Sequence, residues 1–144
     1  MPSERRILAI NSGSSSLKFA LYALGARERL ILAGELQSIG QLSGAFSARD
    51  AAGMSLVDEH LALPDHGAAV ARLLAWLPQA TSGVLPEAIG HRLVHGGDRF
   101  DQPVRLSPDV IAQLRELIPL APQHLPNELL GVEAAGRAYP GLPQ

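Results

Sequence analysis

Residues 11–18, NSGSSSLK, have the composition of a turn that binds phosphate. Gly13 permits a tight backbone turn, and the serines beside it, Ser14 and Ser16 among them, offer hydroxyl and amide donors. Lys18 is the only lysine of the chain and adds a flexible positive charge suited to a phosphate oxygen. An ordinary polar hairpin has a similar composition, so this segment alone leaves both interpretations open.

A second chemical pattern, GHRLVHGGDRF, occupies residues 90–100. Two-residue alternation in a strand over 88–95 predicts that Arg92 and Val94 share one face. The guanidinium of Arg92 can bind both oxygens of a short carboxylate, while Val94 packs against its alkyl tail. The alternative is a salt bridge between Arg92 and a structural acid.

The histidines of this pattern, His91 and His95, are predicted to lie with Leu93 on the opposite face of the strand. We interpret them as hydrogen-bonded core or turn residues rather than ligands. Their spacing differs from the HExxH zinc motif, and no third ligand accompanies them. We therefore predict no metal site formed by the side chains of this chain alone.

A third pattern, LAPQHLPNE at residues 120–128, surrounds His124 with two prolines. The prolines stiffen the loop, so His124 is predicted to be fixed just before a helix. A fixed imidazole can donate a hydrogen bond to developing negative charge. An incidental histidine in a proline-rich connection is the alternative.

Hydrophobic periodicity predicts an α/β chain with strands first and helices later. Alternation around Lys18 places it opposite Leu17 and Phe19, which face the core. The predicted strands are 7–10, 17–22, 29–36, 45–49, 54–60 and 88–95. The predicted helices are 65–78, capped by Asp65 and stopped by Pro78; 107–118, opened by Ser107 and Pro108 and halted by Pro119; and 127–138, ended by Pro140.

Composition narrows the functional classes. The 144 residues suit one folded domain, 1–144, and the net charge of −2 with scattered arginines argues against nucleic-acid binding. The absence of cysteine excludes disulfides and thiolate metal sites and fits a reducing compartment. The apolar runs are too short to span a membrane and form no signal peptide. We therefore expect a cytoplasmic protein without a membrane partner.

In order and spacing, NSGSSSLKF, GHRLVHGGDRF and LSPDVIAQLRELIPLAPQHLPNELLGVEAA resemble the acetokinase family. The resemblance covers essentially the whole chain. It implies the N-terminal domain of the actin-like, ribonuclease-H-like fold, a mixed sheet opened by a phosphate-binding hairpin with flanking helices. The implied reaction is reversible phosphoryl transfer between ATP and acetate, giving ADP and acetyl phosphate, with magnesium.

The resemblance also implies roles for individual residues. These are Asn11 near magnesium and the transferring phosphate; Ser14, Ser16 and Lys18 in the phosphate-facing hairpin; Arg92 at the acyl substrate; Val94 in the methyl pocket; and His124 toward the phosphoryl group in flight. The family has an apolar residue before this histidine and Asn-Pro after it, whereas this chain has Gln123 and then Leu125-Pro126. Propionate, butyrate or another short carboxylate is therefore an alternative substrate.

After the last predicted helix the family continues into an FDTxFH-type strand with the catalytic aspartate and then a nucleotide-binding C-terminal domain. Neither occurs in the 144 residues. We expect a fragment that is inactive alone, and its oligomeric state stays open, although family enzymes are homodimers. A noncatalytic module for phosphate or acyl phosphate binding, or for dimerisation, is an alternative. An esterase-like hydrolase, suggested by His95-Gly96-Gly97, is disfavoured because the chain has no GxSxG nucleophile motif.

Overall fold

The computed structural model describes residues 3–144. Within them, residues 5–92 contain the strands of one six-stranded mixed sheet. The strands are β1 (Arg5–Ser12), β2 (Leu17–Leu24), β3 (Glu28–Gln37), β4 (Gly44–Asp50), β5 (Ser55–Leu61) and β6 (Ala88–Arg92). Their order is β5-β4-β3-β2-β1-β6. The first five pair antiparallel in sequence order, and β6 pairs parallel to β1. The five strands predicted before residue 61 are confirmed, with ends shifted by a few residues.

The two faces of the sheet differ as the alternation predicts. Leu17, Phe19 and Leu21 of β2 are buried, whereas Lys18 points to the opposite, open face. Helices α1 (His66–Ala80) and α3 (Leu125–Ala138) contribute to the core on the apolar face. Phe19, Phe46 and Trp76 pack edge to face there, with ring centroids 5.1–6.2 Å apart. This main core holds the sheet that presents Lys18.

The prediction that Pro78 stops the first helix is wrong. Helix α1 continues through Pro78 to Ala80. A proline lacks the N–H that would bond to the carbonyl four residues earlier, here that of Leu74. The hydroxyl of Tyr139 donates to that carbonyl at 2.8 Å. Burial raises the pKa of Tyr139, which keeps the hydroxyl protonated as a donor. A residue from a distant segment thus satisfies the carbonyl that Pro78 leaves free.

A second, smaller core lies under the later helices. Helix α2 (Pro108–Glu116) is capped by Ser107, whose hydroxyl accepts a hydrogen bond from the N–H of Val110, and it ends before the predicted residue 118. Pro119 lies inside a short 3-10 helix, Ile118–Leu120, rather than acting as a stop. The buried residues of this core are Leu114, Leu117, Ala121, Leu125 and Leu129. Helix α3 begins at Leu125, two residues earlier than predicted, because Pro126 is tolerated in a first helical turn.

The prediction that β6 extends to residue 95 is also wrong. The strand ends at Arg92, so Val94 does not share a strand face with it. Residues 93–97, called here the Val94 turn, leave the sheet instead. Gly97 has φ +61°, a left-handed conformation that turns the chain and that glycine adopts without strain. The N–H of Val94 donates to the carboxylate of Glu128 rather than to a neighbouring strand.

Candidate functional site

Three predicted site residues form one polar row across the open face of the sheet. Asn11 of β1 lies directly opposite Lys18 of β2, and on its other side it is in register with Arg92 of β6. Residues in register on neighbouring strands share a face. Strand spacing places the outer two Cα atoms about 10 Å apart. All three side chains are exposed, so the row presents an amide with one cation on each side of it.

The floor beneath this row is made of small residues. Ala9, Ala20 and Gly90 lie beside Asn11, Lys18 and Arg92 along the same three strands. They line a shallow cleft of about 400 Å³ together with the row. With little side chain above the backbone, a small ligand can approach the sheet closely. The row lies toward the carboxyl ends of the parallel strands β1 and β6, where open α/β sheets commonly bind ligands.

Residues 13–16, called here the hairpin turn, connect β1 to β2 and are held rigidly. The N–H of Gly13 donates to the carbonyl of Ser16 at 2.8 Å. His66, the first residue of α1 and only 2% exposed, places its Nε2 2.8 Å from the carbonyl oxygen of Gly13 and 3.2 Å from that of Ser16. Because both partners are acceptors, we assign the proton to Nε2.

The carbonyls of Gly13, Ser15 and Ser16 in the hairpin turn all accept hydrogen bonds, whereas some of its donors stay exposed. The N–H of Ile39 donates to the carbonyl of Ser15 at 2.9 Å. Ser14 and Ser15 are exposed, and their N–H groups donate to no carbonyl within residues 3–144. Ser16 is partly buried, with its Oγ beside Gly13. Exposed N–H and hydroxyl donors next to Lys18 suit an anionic oxygen.

The remaining predicted residues gather around the start of α3. His124 is exposed and immediately precedes α3, as predicted, and its N–H donates to the carbonyl of Ala121 at 3.2 Å. Val94 is 47% exposed, and its N–H donates to Glu128 Oε1 and Oε2 at 3.2 and 3.4 Å. Glu128 lies in the first turn of α3 and is 2% exposed.

The charge of Glu128 connects this cluster with the polar row. Burial raises the pKa of Glu128, and the Val94 N–H, His124 and Arg92 oppose that increase. Arg92 forms no ion pair within residues 3–144, so the structural salt bridge considered above is not observed there. The guanidinium therefore lies in the field of a buried acid while its donors stay exposed.

The other two histidines of residues 90–100 are hydrogen-bonded, as predicted. His91 Nε2 donates to Gln144 Oε1 at 2.6 Å, and burial lowers the pKa of His91, opposed by this bond. His95 Nδ1 accepts the N–H of Gly97 at 2.8 Å within the Val94 turn. These bonds give both side chains structural partners.

The residues around Asn11 do not by themselves fit a magnesium ion. Magnesium favours one or two carboxylates together with phosphate and water oxygens. Asn11 offers one neutral oxygen, and its register neighbours Lys18 and Arg92 are cations. Residues 3–144 contain no group of three or more His, Cys, Asp or Glu side chains placed to hold a metal.

Two residues of this site were not predicted from the sequence. His66 follows the capping residue Asp65, and no local pattern connects it with the hairpin turn. Glu128 did have a signal, since it is four residues after His124 and such residues share a helix face.

The helices of residues 3–144 lack the length and hydrophobicity needed to cross a membrane.

Comparison with known proteins shows the same pattern over nearly the whole chain. Residues 6–144 match the model of the acetokinase family. The acetate kinase of Rhodopseudomonas palustris is 39% identical over 144 aligned residues, which cover 96% of this chain and 35% of that protein. The acetate kinase of Thermotoga maritima is 36% identical, with coverage of 96% and 35%. The chain thus spans about a third of the length of the curated relatives that it matches.

Solved structures agree with the sequence matches. The crystal structure of Porphyromonas gingivalis acetate kinase superimposes with a TM-score of 0.84 at 34% identity, covering 97% of this chain and 36% of that one. A propionate kinase from Francisella tularensis gives a TM-score of 0.83 at 27% identity, with coverage of 97% and 35%. These similarities confirm the expected actin-like N-terminal fold. Motifs, sheet and family match together show that the chain belongs to the acetokinase family.

Proposed function

We propose that this chain forms the carboxylate- and phosphate-binding part of a phosphotransferase of the acetate kinase type, which converts ATP and acetate to ADP and acetyl phosphate. The observation that supports it best is the polar row of Lys18, Asn11 and Arg92 over a floor of small residues. In this proposal residues 1–144 are one N-terminal domain of a cytoplasmic enzyme, and ATP binding depends on a second domain.

The exposed residues divide the work by position. Arg92 binds the carboxylate, and the partly exposed Val94 forms one wall beside the alkyl group. Lys18, the exposed Ser14 and the partly buried Ser16 hold phosphate oxygens at the hairpin turn. His124 donates toward the phosphoryl group as it passes between the two ends. Phosphoryl transfer depends mainly on such positioning and on neutralisation of charge.

Magnesium would accompany the nucleotide phosphates rather than a site made by this chain. Asn11 offers a single neutral oxygen, which is too little to hold the metal without the phosphate oxygens. The acyl substrate is acetate or a slightly longer acid such as propionate or butyrate. The longer acids stay in the proposal because Gln123, immediately before His124, is polar and exposed.

Ligand binding to the 144-residue chain tests this proposal. Titrations followed by ¹H–¹⁵N NMR would use acetate, inorganic phosphate and acetyl phosphate. Arg92→Ala should weaken the binding of acetate about tenfold or more, and Lys18→Ala should weaken the binding of phosphate by a similar factor, because each substitution removes a charge-assisted contact. Acetyl phosphate should lose affinity in both variants.

Arg27→Ala is the matched control, because Arg27 is exposed in the turn at the far end of β2. It should leave all three affinities unchanged. Equal effects of Arg27→Ala and Arg92→Ala would contradict the proposal, as would acetate binding that is indifferent to Arg92. A coupled assay of acetyl phosphate formation should detect no turnover by these 144 residues, and a rate abolished by Lys18→Ala would show that they suffice.

A further inference from the structure

Glu128 is a buried acid to which the proposed function assigns no role. It occupies the first turn of α3, and only 2% of its surface is exposed. Acidic side chains are almost never fully buried without partners. Its burial between the Val94 turn and the helix therefore indicates a specific role for this carboxylate.

The carboxylate of Glu128 accepts a hydrogen bond from the Val94 turn. Val94 lies two residues beyond the end of β6, so its N–H has no strand partner. Both carboxylate oxygens of Glu128 lie within 3.4 Å of that N–H. The side chain thus takes the place of the next strand hydrogen bond and attaches the Val94 turn to α3.

Two positively charged or ionisable side chains also influence Glu128. Arg92, at the end of β6, and His124, at the start of α3, both act on its charge. Neither forms an ion pair with it among residues 3–144. In the Val94 turn itself, His95 is engaged by the N–H of Gly97, and the following Asp98 is exposed. Glu128 is therefore the buried negative charge of this cluster.

We propose that Glu128 is a positioning residue that fixes the Val94 turn against α3 and weakens the attraction of Arg92 for an incoming carboxylate. The second half of this statement rests on the proposed function, because it assumes that Arg92 binds a carboxylate. The physical reason is that a buried anion near Arg92 offsets part of the guanidinium field felt by a second anion.

The positioning half is tested without any ligand. The ¹H–¹⁵N NMR signal of Val94 is followed against pH in the 144-residue chain. We expect an inflection above the ordinary glutamate range that disappears in Glu128→Gln. Glu133→Gln, on the same helix and bonded to Arg115, is the control and should retain that inflection. Persistence of that inflection in Glu128→Gln, or its absence from the parent chain, overturns this half.

The second half is tested by acetate affinity at neutral pH. Glu128→Gln removes the negative charge but keeps the size and an acceptor oxygen. Because the charge is gone, this variant should bind acetate about three- to tenfold more tightly than the parent chain. Glu128→Asp keeps the charge and should bind no more tightly than the parent chain, which separates charge from packing. Equal or weaker binding by a folded Glu128→Gln overturns this half.

The two failures can be distinguished. If neither the parent chain nor Glu128→Gln binds acetate, the proposed function and the second half fail together. The Val94 titration still decides the positioning half, since it requires no ligand. Should Glu128→Gln not fold, Glu128→Met, which is also uncharged and of similar length, replaces it in both tests with the same expected and contradicting results.

Discussion

The hairpin turn and the Val94 turn adjoin the same polar row but are held by different physics. The hairpin turn is fixed by hydrogen bonds that His66 and the N–H of Ile39 donate to its carbonyls. The Val94 turn is fixed by a buried carboxylate, that of Glu128. The first rests on the main core beneath the sheet, and the second lies beside the smaller core under α2 and α3.

This difference shows which part of the site is sensitive to charge. Carbonyls bonded to a buried imidazole change little when nearby anions bind. The carboxylate of Glu128, in contrast, is an ionisable group whose pKa is raised by burial and lowered by the charges of His124 and Arg92. We therefore expect the phosphate end to be rigid and the acyl end to be adjustable.

The largest expected effect is on the hairpin turn. His66→Ala removes a buried ring and leaves the carbonyls of Gly13 and Ser16 with an unfilled bond, so the free energy of unfolding should fall by about 2–4 kcal/mol. Urea denaturation measures this. His60→Ala is the control because His60 is exposed on β5, and it should change stability by less than about 0.5 kcal/mol. Similar losses in both variants would contradict the role of His66.

A glycine exchange compares the two turns directly. In Gly97→Ala the alanine would have to adopt φ +61°, and its Cβ would lie 2.9 Å from Leu117 Cδ2. We therefore expect the free energy of unfolding to fall by about 2–3 kcal/mol. In Gly13→Ala the Cβ would lie 2.8 Å from Ser16 Oγ, which can rotate away, and the loss should be below about 1 kcal/mol. Thermal unfolding of the two variants is the measurement. A larger loss in Gly13→Ala would reverse this ranking of the turns.

The smallest effect is a slope of stability with pH. The pKa of Glu128 is raised in the folded chain, so the folded state holds this proton more tightly than the unfolded state. Its contribution to stability is full below the ordinary glutamate pKa and is lost as pH rises through the raised value. Glu128→Gln should therefore flatten this part of the stability profile, as measured by urea unfolding between about pH 4 and 8. A profile unchanged by the substitution would show that the folded pKa of Glu128 is ordinary.

Much of the fold and half of the site could be predicted from local patterns. Lys18 was placed opposite Leu17 and Phe19 because side chains alternate along any strand. The residues of the hairpin turn are neighbours in sequence, so their composition already indicated a phosphate-facing loop. The amphipathic helix after Asp65 was equally visible, since its period and its cap are local.

Two of the errors arose where a distant residue supplied a hydrogen bond. Pro78 did not end α1, because Tyr139 satisfies the carbonyl that the proline leaves free. Arg92 and Val94 did not share a strand, because Glu128 captures the Val94 N–H. Neither partner lies near the affected segment in sequence, so no local pattern contained the answer.

The sequence by itself determined which groups are available: a lysine and serines beside a tight turn, an arginine in a short strand, and a histidine ahead of a helix. Local propensity and side-chain alternation depend only on neighbouring residues, so this much follows from the order of amino acids. Only the tertiary structure decided that Asn11 lies between Lys18 and Arg92, and that buried His66 and Glu128 hold the two turns. Those contacts join segments far apart in the chain, and packing of the two cores brings them together.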